Sequence, residues 1–186
     1  MMYLSKGAAL HPYRGGVQHV SRCGKVYALG PELTALWYGA RLLPKPVPAG
    51  RERAVRRLAE EGLVSLTDEE GDLAAFRLII DCVLCPSHKF RPRLPLHGRD
   101  RRLWSWITKA GLRLTASELI RLEELEAVPA PELLGEEGRQ SLIETIYTSG
   151  SIFDGILEAQ MEHSPARDAT VASILKLVST HRLLLV

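Results

Sequence analysis

Residues 51–66 read Arg51-Glu52-Arg53-Ala54-Val55-Arg56-Arg57-Leu58-Ala59-Glu60-Glu61-Gly62-Leu63-Val64-Ser65-Leu66, and two periods meet inside them. From about Gly50 to Glu61 the apolar positions Ala54, Val55, Leu58 and Ala59 recur at three- and four-residue spacing, which predicts an amphipathic helix. Gly62 then supplies the left-handed residue on which such helices end, and Leu63 to Leu66 run on as a strand. A step of about 100° per residue sends Arg53, Arg56, Arg57 and Glu60 to the face opposite the apolar one.

Outward toward the C-terminus, Thr67-Asp68-Glu69-Glu70-Gly71-Asp72 reads as a turn and Leu73 to Ile80 as a second strand, so that a hairpin follows the helix. Toward the N-terminus, Gly30-Pro31 opens another helix with Leu33, Leu36, Trp37 and Ala40 on one face, stopped by Pro44, Pro46 and Pro48. Before it, Val17 to Val20 and Lys25 to Leu29 flank Ser21-Arg22-Cys23-Gly24 as a short hairpin. Beyond residue 86, Pro86, Pro92, Pro95 and Gly98 mark a linker. Leu103, Trp104, Ile107 and Leu112 suggest the next helix. Thr115-Ala116-Ser117-Glu118 has capping-box spacing, and a further helix is expected near Glu137 to Tyr147.

Sliding the chain by 120 residues lays Gly30 on Gly150, Leu36 on Ile156, Val55 on Leu175, Leu58 on Val178 and Leu63 on Leu183. Helix and following strand thus recur, predicting helices over 151–161 and about 166–181 and a final strand.

A helix ending in Glu61-Gly62-Leu63-Val64 and entering a hairpin resembles the third helix and wing of a winged-helix domain. The likeness covers about residues 25–80, and less completely 137–186. It implies a mainly α fold with small β-hairpins (α+β), two winged-helix-like units with three-helix cores and short wings, the second wingless. The expected domains are 1–85, a basic linker 86–102, and 103–186. In that superfamily the third helix commonly enters the DNA major groove, whereas other members only hold proteins.

Charge divides the chain. Residues 1–113 hold 19 Lys+Arg against 10 Asp+Glu, and residues 114–186 hold 5 against 12. The basic half is the candidate for polyanion contact, although lobes of opposite sign also simply attract. Arg53, Arg56 and Arg57 would sit at the groove, because a guanidinium fork binds phosphate or the guanine edge in bidentate fashion. Arg51 and the basic segment with Lys89, Arg91, Arg93, Arg99, Arg101 and Arg102 would lie on phosphates. The bland alternative is a solvated face paired with Glu60 and Glu61. Trp104 and Trp106 suit a core better than base stacking. Against simple DNA binding, Asp68, Glu69, Glu70 and Asp72 would repel phosphates. The outer face of the last helix offers only Lys176 beside Ala169, Ser173 and Thr180.

Cys82 and Cys85 form a CxxC with His88 three residues on, but no second ligand pair exists, so ordinary cysteines are expected and no metal or other cofactor. No phosphate loop, nucleophile elbow or HExxH occurs, which argues against an enzyme; His163, Asp168 and His181 form no motif. The N-terminal residues lack a signal-peptide stretch, the apolar runs are too short for a bilayer, and three cysteines suit a reducing compartment, so a cytoplasmic location is expected. The leading expectation is a DNA-binding transcription regulator whose C-terminal unit forms a homodimer or holds a protein partner. The competing reading is a non-enzymatic scaffold gripping a partner, and a third is a thiol or metal sensor built on Cys82 and Cys85.

Overall fold

The computed structural model describes residues 1–10, 16–87, 95–147 and 154–186. It is α+β, with helices and small antiparallel sheets. The chain divides into two compact units, one formed by Met1–Ile79 with Leu184–Val186 and the other by Ile80–Leu183.

The first unit begins with strand β1 (Met2–Ser5) and the short β2 (Ala8–Ala9). The expected hairpin follows as β3 (Gln18–Arg22) and β4 (Lys25–Leu29). It closes through Cys23 and Gly24, whose φ angles of 48° and 78° are the left-handed pair that a two-residue hairpin turn requires. Helix α1 (Pro31–Gly39) opens on its proline, and the short β5 (Lys45–Pro46) leads to helix α2 (Glu52–Glu60). After α2 come β6 (Val64–Thr67) and helix α3 (Gly71–Ile79).

Here the structure corrects the sequence reading. Residues 73–80 were expected as the second strand of a wing, but 71–79 are helical, so no wing hairpin stands there. Ala74, Phe76 and Leu78 alternate as a half-buried strand would, yet Ala74, Leu78 and Ile79 also share one face of a helix, and the sheet decides between the two. One side of β6 is taken by β1, with Met2 opposite Thr67 and Ser5 opposite Val64. The sheet runs β5-β1-β6, and a second one runs β2-β3-β4.

Between these sheets and α1 and α2 lies a core of Tyr3, Val20, Leu29, Trp37, Val55, Leu58 and Leu63, all buried. Two bridges tie the polar edges of its rings. The Tyr3 hydroxyl donates to the Leu36 carbonyl at 3.1 Å, and the Trp37 indole N–H to the Lys6 carbonyl at 2.9 Å.

The second unit holds β7 (Leu84–Pro86), α4 (Gly98–Lys109), α5 (Ala116–Glu124), a 3-10 turn (Pro131–Leu133), α6 (Arg139–Ile146), α7 (Asp154–Met161) and α8 (Arg167–Ser179). Strand β8 (Leu183–Leu185) follows, with Leu184 and Leu185 belonging to the first unit. Residues 98–102, read from composition as the end of a linker, form the start of α4. The capping box of α5 is complete: Thr115 Oγ1 accepts from the Glu118 N–H at 3.3 Å, and Glu118 Oε2 accepts from the Thr115 N–H at 2.6 Å.

The order helix, helix, strand occurs both as α1-α2-β6 and as α7-α8-β8, and both second helices end alike. In α2, the N–H of left-handed Gly62 donates to Ala59 O and that of Leu63 to Leu58 O. In α8, left-handed His181 donates to Val178 O and Arg182 to Leu177 O, the same paired closure. The matching residues lie 119 apart rather than 120, because the hydrogen-bonded closure, and not the apolar count, sets the register.

Candidate anion-binding face

Helix α2 presents Val55 and Leu58 to the core, with Ala54 and Ala59 half-buried, and leaves Arg53, Arg56 and Arg57 exposed. These three wall an open groove of about 890 Å³ that Leu33 and Ala54 floor and that also meets Glu32 and Glu60. Among the described residues, none of the three guanidinium groups makes an ion pair or a side-chain hydrogen bond. Arg51 differs: its guanidinium pairs with Glu32 in the first turn of α1, which ties the start of α2 to that helix. The expected face therefore exists, with three open cations, but a carboxylate borders it at each end.

The other expected phosphate contacts fare differently. Lys89, Arg91 and Arg93 lie outside the described residues. Arg101 is exposed on α4. Arg99 and Arg102 are occupied within their own unit by Glu123 of α5, whose side chain is only 2 % exposed. Arg102 donates through Nε to Oε1 at 3.0 Å and through Nη2 to Oε2 at 2.7 Å, and Arg99 Nε adds a 3.0 Å bond to Oε2. Both carboxylate oxygens are thus satisfied, and the bond to Glu123 holds the Arg102 guanidinium above its usual pKa.

Lys176, the one cation expected on the outer face of α8, is likewise taken: its Nζ lies 2.5 Å from Asp100 Oδ2. Burial pushes the Asp100 carboxyl up, but hydrogen bonds from Lys176 and Ser173 and the charges of Lys176 and Arg182 outweigh it, leaving the pKa below the usual aspartate value. A carboxyl whose pKa is lowered on folding stabilises the native state above its unfolded pKa and loses that contribution as pH falls through the folded one. Asp100→Asn is accordingly expected to reduce stability at neutral pH and to flatten the acid limb of a stability–pH profile measured by urea unfolding. Parallel profiles for the two proteins would remove this role.

The acidic loop between β6 and α3 exposes Asp68, Glu69 and Glu70, with Asp72 in the first turn of α3. Asp68 is 3.7 Å from the N-terminal ammonium. Cys82 is buried, Cys85 half-buried and Cys23 exposed. Among the described residues no three His, Cys, Asp or Glu side chains come together as metal ligands, and His88 lies outside those residues. Trp106 is fully buried and Trp104 half-buried. Among the described residues no helix is long and apolar enough to cross a membrane.

No family model matches the chain, and no curated protein or solved structure does.

The sequence reading overlooked two cations. Arg41 stacks on the Trp37 ring, 5.0 Å from its centroid, and burial lowers its pKa. Arg22, at the end of β3, lays its guanidinium against Gly62, where a Cβ would collide with it. Glycine at 62 therefore serves both the left-handed closure of α2 and this contact, and only the second needed the fold to become visible.

Proposed function

We propose that the protein is a non-enzymatic interaction protein that holds an acidic polypeptide partner on the α2 face of its first unit. The observation that carries this reading is the groove of three open guanidinium groups bordered by Glu32 and Glu60. A polypeptide can place carboxylates against the arginines and a neutral or basic group beside Glu60, Glu32 being already paired with Arg51. Duplex DNA offers a continuous negative track and cannot. The helix also lacks the flanking wing that would touch the backbone, and the neighbouring loop is acidic. Residues 1–79 hold 11 Lys+Arg against 8 Asp+Glu, a small excess for a polyanion binder.

The second reading, a DNA-binding regulator of winged-helix type, keeps support from Arg53, Arg56 and Arg57 themselves, since open arginines on one helix face are what major-groove contact uses. Pairing through the second unit, as a homodimer or with another protein, draws on Ile143 of α6 and Ile156 of α7, which remain 36 % and 42 % exposed.

The test is fluorescence anisotropy against a labelled acidic peptide and against mixed-sequence duplex DNA over a salt series. Joint Arg53→Ala, Arg56→Ala and Arg57→Ala substitution is expected to weaken peptide binding by about a hundredfold, at roughly 1 kcal/mol per charged contact, while unfolding stays within about 0.5 kcal/mol of wild type. DNA binding with a steep salt slope, lost in the same variant, together with no peptide binding, would instead establish the regulator.

A further inference from the structure

Between Arg121 and Arg139 the chain carries six glutamates and no lysine or arginine. Three of them are spent inside the second unit. Glu123 takes Arg99 and Arg102, Glu124 pairs with Arg121 at 2.9 Å, and Glu126 acts with Glu123 in holding the Arg102 guanidinium charged. Glu132, Glu136 and Glu137 are left. All three are exposed, and among the described residues none makes an ion pair or a side-chain hydrogen bond.

These three carboxylates stand on one built lobe. The main chain of Glu132 and Leu133 passes so close to Gly138 that a Cβ there would collide with it. The Leu133 and Leu134 N–H groups donate to Ala130 O at 3.0 Å and Pro131 O at 3.2 Å, and the Gly135 N–H donates to Lys109 O, at the end of α4, at 3.1 Å. Arg139, the next cation along the chain, donates its guanidinium to the Gly111 carbonyl at 3.0 Å. Leading into the lobe, Val128 is 64 % exposed, more than any other large apolar side chain among the described residues.

The first unit holds the counterpart. Arg53, Arg56 and Arg57, equally without ion-pair partners among the described residues, wall a groove floored by Leu33 and Ala54. Three open guanidinium groups over an apolar floor thus answer three open carboxylates beside an exposed valine. The other acidic run, Asp68 to Asp72, has no apolar side chain of its own to set on that floor.

We infer that the partner held in the α2 groove is a second copy of this chain, whose Glu132, Glu136 and Glu137 lobe pairs with Arg53, Arg56 and Arg57. This rests on the interaction reading above and names the partner. Guanidinium–carboxylate forks supply charge-assisted bonds, and a lobe already fixed by its own hydrogen bonds loses little freedom on docking. Because the contact joins different surfaces of the two copies, it grows into chains or closes into a ring of two or more.

The experiment is sedimentation velocity of the full chain over a concentration series at low and high salt. Wild type is expected to form larger species as concentration rises and to return to monomer as salt screens the pairs. Joint Arg53→Ala, Arg56→Ala and Arg57→Ala substitution, and joint Glu132→Gln, Glu136→Gln and Glu137→Gln substitution, should each weaken self-association about a hundredfold. An equimolar mixture of those two proteins keeps one intact groove and one intact lobe, so it is expected to regain a 1:1 dimer and to stop there. Joint Glu69→Gln and Glu70→Gln substitution should leave association as in wild type. On the unaltered protein, concentration-dependent NMR shifts should fall on residues 53–60 and 128–137, a readout that stands should a variant fold poorly. Self-association that survives the three glutamine substitutions, that is lost with Glu69 and Glu70, or that the mixture does not regain would overturn the lobe as occupant. A wild-type protein that stays monomeric throughout, yet binds a fluorescein-labelled peptide of glutamate and valine through the three arginines, would overturn the second copy and leave the interaction reading standing. A monomer that binds no such peptide would overturn both.

Discussion

Arg102→Ala is expected to lower the unfolding free energy by roughly 2–3 kcal/mol, read from urea denaturation at neutral pH. Glu123 is a carboxylate with 2 % of its side chain exposed, and Arg102 supplies two of its three charge-assisted bonds. Without that fork, Oε1 loses its donor and only Arg99 remains, on Oε2. Breaking a buried pair from one side costs about 3–5 kcal/mol when the surviving charge is sealed from water. Arg99 and Arg102 are 38 % and 43 % exposed, so solvent can reach part of the vacated space and the cost falls below that range. Arg102→Lys keeps the charge but not the planar fork, and an intermediate loss is expected. Glu123→Met should be milder than Arg102→Ala, because it removes the buried charge itself and leaves the two arginines free to turn to water. An Arg102→Ala protein as stable as wild type would show that the clamp does not hold α4 to α5.

Gly138→Ala is expected to cost about 3 kcal/mol, the upper part of the range for overpacking, and to lower the melting temperature by several degrees. Gly138 precedes α6 with an ordinary backbone conformation, φ −82° and ψ −6°, so the penalty is not one of left-handed strain. A Cβ there would fall 2.8 Å from both the Cα and the carbonyl carbon of Leu133, and closer still to the Glu132 carbonyl oxygen. All three atoms are main chain and cannot swing aside as a side chain would. Either the 3-10 turn or the start of α6 must move. Gly155→Ala is the matched control: it lies in the first turn of α7, a Cβ there meets nothing within 4 Å, and alanine should be neutral or stabilise by up to about 0.5 kcal/mol through helix propensity. Equal effects of the two substitutions would refute the packing argument.

Much of the local structure could be read from the residues. The Cys23-Gly24 hairpin, the proline-opened α1, the Gly62-closed α2 and the Thr115 capping box each depend on interactions within a few positions of one another, so spacing alone announces them. The exposed arginine face of α2 was legible for the same reason, since helical period sorts Arg53, Arg56 and Arg57 from Val55 and Leu58. The apolar faces that follow from period were less secure at their margins. On α8, the 120-residue register lays Leu175 on Val55, which is buried, yet Leu175 is half-buried and Leu177 takes the interior place.

The failures have one cause. Leu73 to Ile80 satisfies a strand's period and a helix's, and what settled it was packing at long range: the segment folds as α3 against β1 and β6, while β1, some sixty positions away along the chain, takes one side of β6. Arg99 and Arg102 looked like members of a basic arm because their partner, Glu123, is more than twenty positions distant and becomes one only when α5 is laid against α4. The edge position of β4 among the described residues was hidden for the converse reason, because a strand is an edge by virtue of what fails to pair with it.

By itself the sequence determined the helices with capped ends, the tight hairpin and the sign of the charge on each helix face, all set by short-range sterics, hydrogen bonding and periodicity. Only the tertiary structure decided which arginines are spent on internal carboxylates and which stay open, which strand neighbours β6, and which edge is left without a partner. Those are outcomes of long-range pairing, where one donor or one sheet position can be filled once, and the choice among distant competitors is made by the packed whole.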